Sequence, residues 1–328
     1  MTTTIYDSFN QALPSFLQLG TQVEIRAKPS GTTTAECTPP SCGINIPLKH
    51  WADLASDLCL EKYKDELRSA FLPTVDSFIE FKSEADVADA STLYLTHPVH
   101  VAYQLVHSSD QDRRVDQLTI PLRRMTPSSR VDRAYFSGRP SNEETPGNSS
   151  NVFAVLEYKK FQGLSRDQFN RGMVSNSSDF GTSLKYPRFV KQDSNATVFL
   201  QQATHYAMRY RTPFVALCDY NTLILLVMTK VEKNHGGQYT YLTMVENPSK
   251  MRKAYLGFLL AAKLHAQNNN DWRKSREGED LFAKGETWKQ EILSDELRKQ
   301  AERTSRNPNP IHDVSSSQDT DATVVEDG

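Results

Sequence analysis

Residues Asn151–Lys160 read Asn-Val-Phe-Ala-Val-Leu-Glu-Tyr-Lys-Lys. Five consecutive apolar residues, rich in Val and Phe, predict a strand covered on both faces. The run ends in Glu157, Tyr158 and Lys159 rather than in a turn. Strand side chains alternate with period two, so Glu157 and Lys159 share one face and Tyr158 takes the other. Charged groups at the end of a buried strand cost several kcal/mol per ion unless they are paired or bound to metal. The strand therefore suggests both a sheet and a site.

Working outward, the chain downstream alternates helix and strand. Val198–Tyr210 is predicted helical, with Phe199, Gln202, Ala203, Tyr206, Ala207 and Tyr210 along one stripe, and Pro213 breaks it. Phe214–Cys218 and Thr222–Met228 are β-rich runs around Asp-Tyr-Asn, which predicts a hairpin. Gln238–Val245 is a further strand, Lys250–Ala266 an apolar helix, and about 270–304 a charged helix with Trp272, Leu281, Phe282 and Trp288 for docking. The polar stretch Ser165–Asn195 reads as a mobile flap with one helical turn.

Upstream, Trp51, Leu54, Leu58, Leu60, Tyr63 and Leu67 recur at helical spacing until Pro73. Val75–Val106 predicts one or two helices, broken near His97-Pro98, and places Phe81, Glu84, Val87 and Ala88 on one face. Glu84 is thus a carboxylate among apolar neighbours. Gln117–Leu122 and Val131–Phe136 are short strands, and the Ser/Pro/Gly-rich segment before Asn151 is a flexible connection. Residues 1–45 form an N-terminal extension, partly disordered, with a loop around Ala27–Gly43. The main domain spans 46–270, the charged helical segment 271–304, and a disordered acidic tail 305–328.

Composition limits the classes of function. The chain has 328 residues, 38% of them hydrophobic, enough for a sizeable core. Lys+Arg 38 against Asp+Glu 40 leaves a formal net charge of -2, so any nucleic-acid surface must be local. Basic residues do cluster at Arg113-Arg114, Arg123-Arg124, Arg130–Arg133 and Arg209–Arg211. Cys37, Cys42, Cys59 and Cys218 lack zinc-ligand spacing and read as free thiols. No secretory signal and no apolar run of about 20 residues is visible, which predicts an intracellular protein, nuclear or cytoplasmic, without membrane contact. Gly-rich phosphate loops, Gly-x-Ser-x-Gly and His-Glu-x-x-His are missing from the sequence.

The order of the polar residues carries a resemblance. Asp132 on one strand, Glu157-x-Lys159 on the next and Gln202-x-x-x-Tyr206 on the following helix resemble the PD-(D/E)xK nuclease superfamily and the extra motif of its RecB-like branch. The hairpin after that helix resembles the closing strands of nuclease-like domains in many fungal proteins. The likeness covers about Val75–Ala266, with Val131 standing where the family pattern has proline.

It implies an α/β, restriction-endonuclease-like core, a central mixed sheet flanked by helices. The activity implied is hydrolysis of phosphodiester bonds in DNA or RNA. Asp132 and Glu157 would hold Mg²⁺ (or Mn²⁺), which takes carboxylate oxygens. Lys159 would position the attacking water and neutralise charge. Glu84 would join from the first helix, and Gln202 and Tyr206 would orient the site or contact the nucleic acid. A catalytically inactive relative serving as a nucleic-acid or protein-binding module, or an accessory protein, is the alternative reading.

Overall fold

A computed structural model describes residues 3–16, 37–73, 80–110, 112–120, 129–138, 151–190, 194–229, 239–268 and 276–306. The chain opens with a short helix, α1 (Ile5–Ser8), then strand β1 (Cys42–Asn45) and helix α2 (Leu48–Ala55), which continues as a π-helical turn over Ser56–Leu60. Helix α3 (Lys64–Ser69) follows, and then α4 (Glu84–Ser91), a second π-helical segment (Thr92–Thr96) and α5 (His97–Val106). The helix expected to break near His97-Pro98 instead passes through a widened turn, with Pro98 in the first turn of α5 and Arg252 Nε donating to Tyr94 C=O, four residues before the proline.

Strands β2 (Arg113–Ile120), β3 (Ser129–Phe136) and β4 (Val152–Tyr158) come next. The segment expected to be a flap holds α6 (Arg166–Asn170), β5 (Met173–Val174) and α7 (Ser177–Lys185). That expectation is corrected by three aromatic anchors, Phe169, Phe180 and Phe189, each fully buried in an otherwise polar sequence. The chain closes with α8 (Asn195–Tyr210), β6 (Phe214–Cys218), β7 (Leu223–Met228), β8 (Tyr239–Val245), α9 (Met251–Gln267) and α10 (Arg276–Arg306). The connection before Asn151, from residue 139, and the tail beyond Arg306 lie outside the described residues.

The eight strands form one mixed sheet in the order β2-β3-β4-β6-β7-β8-β1-β5, so the protein is α/β with a central mixed sheet flanked by helices, as its sequence implied. β2–β3–β4 is antiparallel, β4 pairs with β6 in parallel, and β6–β7–β8 is again antiparallel. Every residue of β4 is buried, as its unbroken apolar run requires.

No sequence pattern marks β1. Its Cys42 and Gly43 fall inside the expected loop, yet it lies parallel between β8 and β5 and joins the sheet on the N-terminal side of residue 46. A Cβ at Gly43 would meet Met173 Sδ at 2.6 Å, so a larger residue there would require the Met173 side chain to move. The N-terminal stretch also enters the main core through Ile5, Phe9 and Leu13.

Two apolar layers cover the sheet. One face receives α2, α4, α5 and α9, with Trp51, Val87, Tyr103, Tyr255 and Phe258 beside Ala216, Cys218 and Leu225. The other receives α8, whose Leu200, Ala203 and Tyr206 meet Val155, Val215 and Leu217. The alternation along β6 and β7 between the two layers is the period-two pattern expected of a doubly covered sheet. No helix among the described residues is long and apolar enough to cross a membrane.

Candidate functional site

The polar end of β4 is where the separate elements converge. Arg133 pairs with Leu156 in the β3–β4 register, so Asp132 and Glu157 come next to each other one residue further on. Two hydrogen bonds fix that approach. Tyr158 N–H donates to Asp132 Oδ2 at 2.8 Å, and Asp132 N–H to Glu157 Oε2 at 3.4 Å. Strand pairing thus closes the gap left by the long connection between these residues.

Glu84 arrives from a different direction. It begins α4, whose N-terminus is held by a capping box between Ser83 and Asp86. Val87 and Ala90 of the same helix are buried in the first layer, while the Glu84 side chain keeps 45% exposure. Carboxylate oxygens of Glu84, Asp132 and Glu157 all lie within 4.8 Å of one another.

Lys159, 6% exposed, is the cation at this cluster. Its Nζ donates to Glu157 Oε1 at 3.0 Å, stands 4.0 Å from Glu84 Oε1, and lies over the Phe199 ring at 5.4 Å from its centroid. Tyr206 O–H donates to the same Glu157 Oε1 at 3.0 Å. One oxygen of Glu157 is therefore held by two donors, and the other is turned toward Asp132. Gln202 is buried one turn before Tyr206 on α8. The five residues Glu84, Asp132, Glu157, Lys159 and Tyr206 are together as expected, and Tyr206, buried, orients Glu157.

Burial raises the Glu157 carboxyl to about 7; the Lys159 charge opposes that rise, and the Asp132 charge adds to it. Within this set three carboxylates face one ammonium. That surplus of hard, negatively charged oxygens is the donor chemistry a Mg²⁺ or Mn²⁺ ion takes.

A second acidic group, His107, Asp110 and Asp112, has the proximity but not the chemistry. Lys263 Nζ already sits 2.7 Å from Asp112 Oδ1 and 3.4 Å from Asp110 Oδ2, and Tyr103 O–H and Gly138 N–H also donate to Asp112. It is a closed ion-pair network between α5, α9 and the end of β3.

Two further residues shape the site, and no motif singles them out. Asp219, fully buried, accepts from the backbone N–H of Leu164 at 2.8 Å, Asn221 at 3.0 Å and Thr222 at 2.6 Å. It ties the loop after Lys159 to the β6–β7 hairpin. The Asp-Tyr-Asn turn is its only signal in the sequence. Arg133, one of the basic residues that cluster at Arg130–Arg133, is not part of an exposed basic surface. It is 2% exposed and points to the opposite face of β3 from Asp132. The side chains of Arg123, Arg124 and Arg130 lie outside the described residues, whereas Arg211 is exposed at the end of α8.

Comparison with protein-family models and with curated proteins gives no match.

Proposed function

We propose that this protein is a divalent-cation-dependent nuclease of the PD-(D/E)xK type, with a restriction-endonuclease-like core, hydrolysing phosphodiester bonds in DNA or RNA. The observation that carries the reading is the convergence of Glu84, Asp132 and Glu157, from one helix and two strands, within 4.8 Å of one another beside a buried lysine. Such a constellation is expensive to build into a sheet end, and a packed apolar alternative would fold as well or better.

Glu84, Asp132 and Glu157 would hold Mg²⁺ or Mn²⁺. When bound, the cation supplies charge neutralisation at phosphoryl oxygens and a lowered pKa for water. The protein's own groups do the rest. Tyr206 and Lys159 hold Glu157 Oε1, which leaves Oε2 directed at Asp132. Tyr158 N–H holds Asp132 Oδ2 and so fixes the second carboxylate to the same strand end. Lys159 Nζ can also orient the nucleophilic water and neutralise charge that develops on the phosphate. Below about pH 7 the Glu157 carboxyl keeps its proton in the absence of a cation, so cation binding strengthens as pH rises through that value.

The test is cleavage of single- and double-stranded DNA and RNA with Mg²⁺ or Mn²⁺, comparing wild type with Glu157→Ala and Lys159→Ala. Activity abolished by both substitutions in folded protein supports the assignment; activity that survives either refutes it. Salt-sensitive binding without cleavage would select the binding-module reading instead.

A further inference from the structure

The nuclease reading uses one face of β3, and Arg133 lies on the other. Its guanidinium donates through Nη2 to Thr92 Oγ1 at 2.9 Å and through Nη1 to Thr96 Oγ1. These threonines begin and end the π-helical segment that continues α4. Each hydroxyl donates back along the helix, Thr92 to Ala88 C=O at 2.6 Å and Thr96 to Thr92 C=O at 3.3 Å. With its proton committed to a carbonyl, each hydroxyl offers its lone pairs to the arginine. The widened turn is thus a socket for a planar, two-pronged donor, a shape arginine has and lysine lacks.

Arg133 also reaches the catalytic strand. Its guanidinium stands over the Tyr158 ring, 5.9 Å from the centroid, and Tyr158 N–H holds Asp132 Oδ2 at 2.8 Å. On the helix side, Glu84 is two turns before Thr92, about 12 Å along a rigid element. One buried side chain therefore joins the helix that carries Glu84 to the strands that carry Asp132 and Glu157.

We infer that Arg133 is a positioning residue: by seating its guanidinium in the Thr92–Thr96 socket it sets Glu84 against Asp132 and Glu157 and so completes the cation site. The inference rests on the metal-site reading above. It assigns Arg133 no contact with substrate.

The test is a double-mutant cycle read by Mn²⁺ affinity, measured by calorimetry or Mn²⁺ electron paramagnetic resonance on the full chain, with thermal unfolding recorded for each variant. Residues supporting metal ligands are each worth about 10–100-fold in affinity. Arg133→Met is expected to weaken Mn²⁺ by about 10-fold, and Glu84→Gln by a similar factor. Because Arg133 acts through Glu84, the double variant should bind within about twofold of Glu84→Gln alone. Thr92→Val/Thr96→Val, which keeps shape but removes the acceptors, should reproduce the Arg133→Met loss, and it stands in if Arg133→Met does not fold.

Losses that multiply in the double variant, or a threonine pair variant that binds as wild type, would overturn the inference and leave the nuclease reading intact. A wild type that binds no Mn²⁺ would overturn both. Mn²⁺ binding without cleavage of any polynucleotide would remove the nuclease activity alone, and the cycle would still decide the role of Arg133.

Discussion

Replacing Glu157 with glutamine tests the electrostatics of the site without reference to substrate. The carboxyl is raised from 4.5 to about 7 by burial in the folded protein. A folded-state pKa above the unfolded one means that the native protein holds the proton more tightly. The associated stability is complete below pH 4.5 and is lost as pH rises through about 7. At about 1.4 kcal/mol per pH unit, the ionised carboxylate at pH 8 weakens the fold by roughly 3 kcal/mol relative to pH 4.5. The substituted amide would keep an acceptor for Lys159 and Tyr206 but would not titrate.

The difference in stability between Glu157→Gln and wild type should therefore move in favour of the variant by about 3 kcal/mol between pH 4.5 and pH 8. For a chain of this length that is roughly 5 °C in Tm. Thermal or denaturant unfolding across this range, without divalent cation, is the assay. Adding Mn²⁺ at pH 8 should then stabilise wild type and leave the variant nearly unchanged. A pH-independent difference between the two proteins would refute the account of a proton held by burial, and equal stabilisation by Mn²⁺ would refute Glu157 as a ligand.

Other perturbations probe other parts of the structure. Tyr206→Phe removes one of the two donors to Glu157 Oε1 and should cost about 1 kcal/mol while raising the Glu157 carboxyl further; NMR titration of that carboxyl would show the direction. Lys159→Met should lower cleavage by about 100-fold or more while retaining Mn²⁺ binding, seen by comparing single-turnover rates with calorimetry. Asp219→Ala orphans the backbone N–H of Leu164, Asn221 and Thr222 and should destabilise by about 3 kcal/mol or more, with faster hydrogen exchange at Leu164. Gly257→Ala would drive a methyl group into the Trp51 carbonyl oxygen, so α2 and α9 must separate; a loss of about 3 kcal/mol in denaturant unfolding is expected.

What was legible in the sequence was local and periodic. β4 was visible because its apolar run is unbroken, and the shared face of Glu157 and Lys159 followed from period two. The hairpin β6–β7 and helix α8 had clear punctuation in Asp-Tyr-Asn and Pro213. Glu84 was expected on an inward face, but it begins α4 with its side chain 45% exposed, and its meeting with Asp132 and Glu157 is a matter of tertiary geometry. What stayed hidden depends on partners far along the chain. β1 has four residues and no pattern of its own, and it is a strand because β8 and β5 provide its hydrogen bonds. Arg133 read as one of several surface arginines, since nothing near it in sequence reveals the threonine socket. The segment around Phe169 and Phe180 looked polar because its few aromatic anchors, fully buried, are diluted by Ser and Asn.

The position of β1 also fixes an order of events at the ribosome. Ile46, just past its end, accepts from the hydroxyl of Thr243, a residue 197 positions later, and Ile46 N–H donates to Leu242 on the same strand. At about 5–20 residues per second, β1 waits roughly 10–40 s before β8, one of its two partners, is synthesised. Until then the N–H and C=O of Ile46 and the indole N–H of Trp51 lack the β8 groups that they bond in the folded protein. A nascent chain released early, or truncated before β8, would present this unsheltered N-terminal segment to chaperones and proteases, however complete its β2–β3–β4 meander had become.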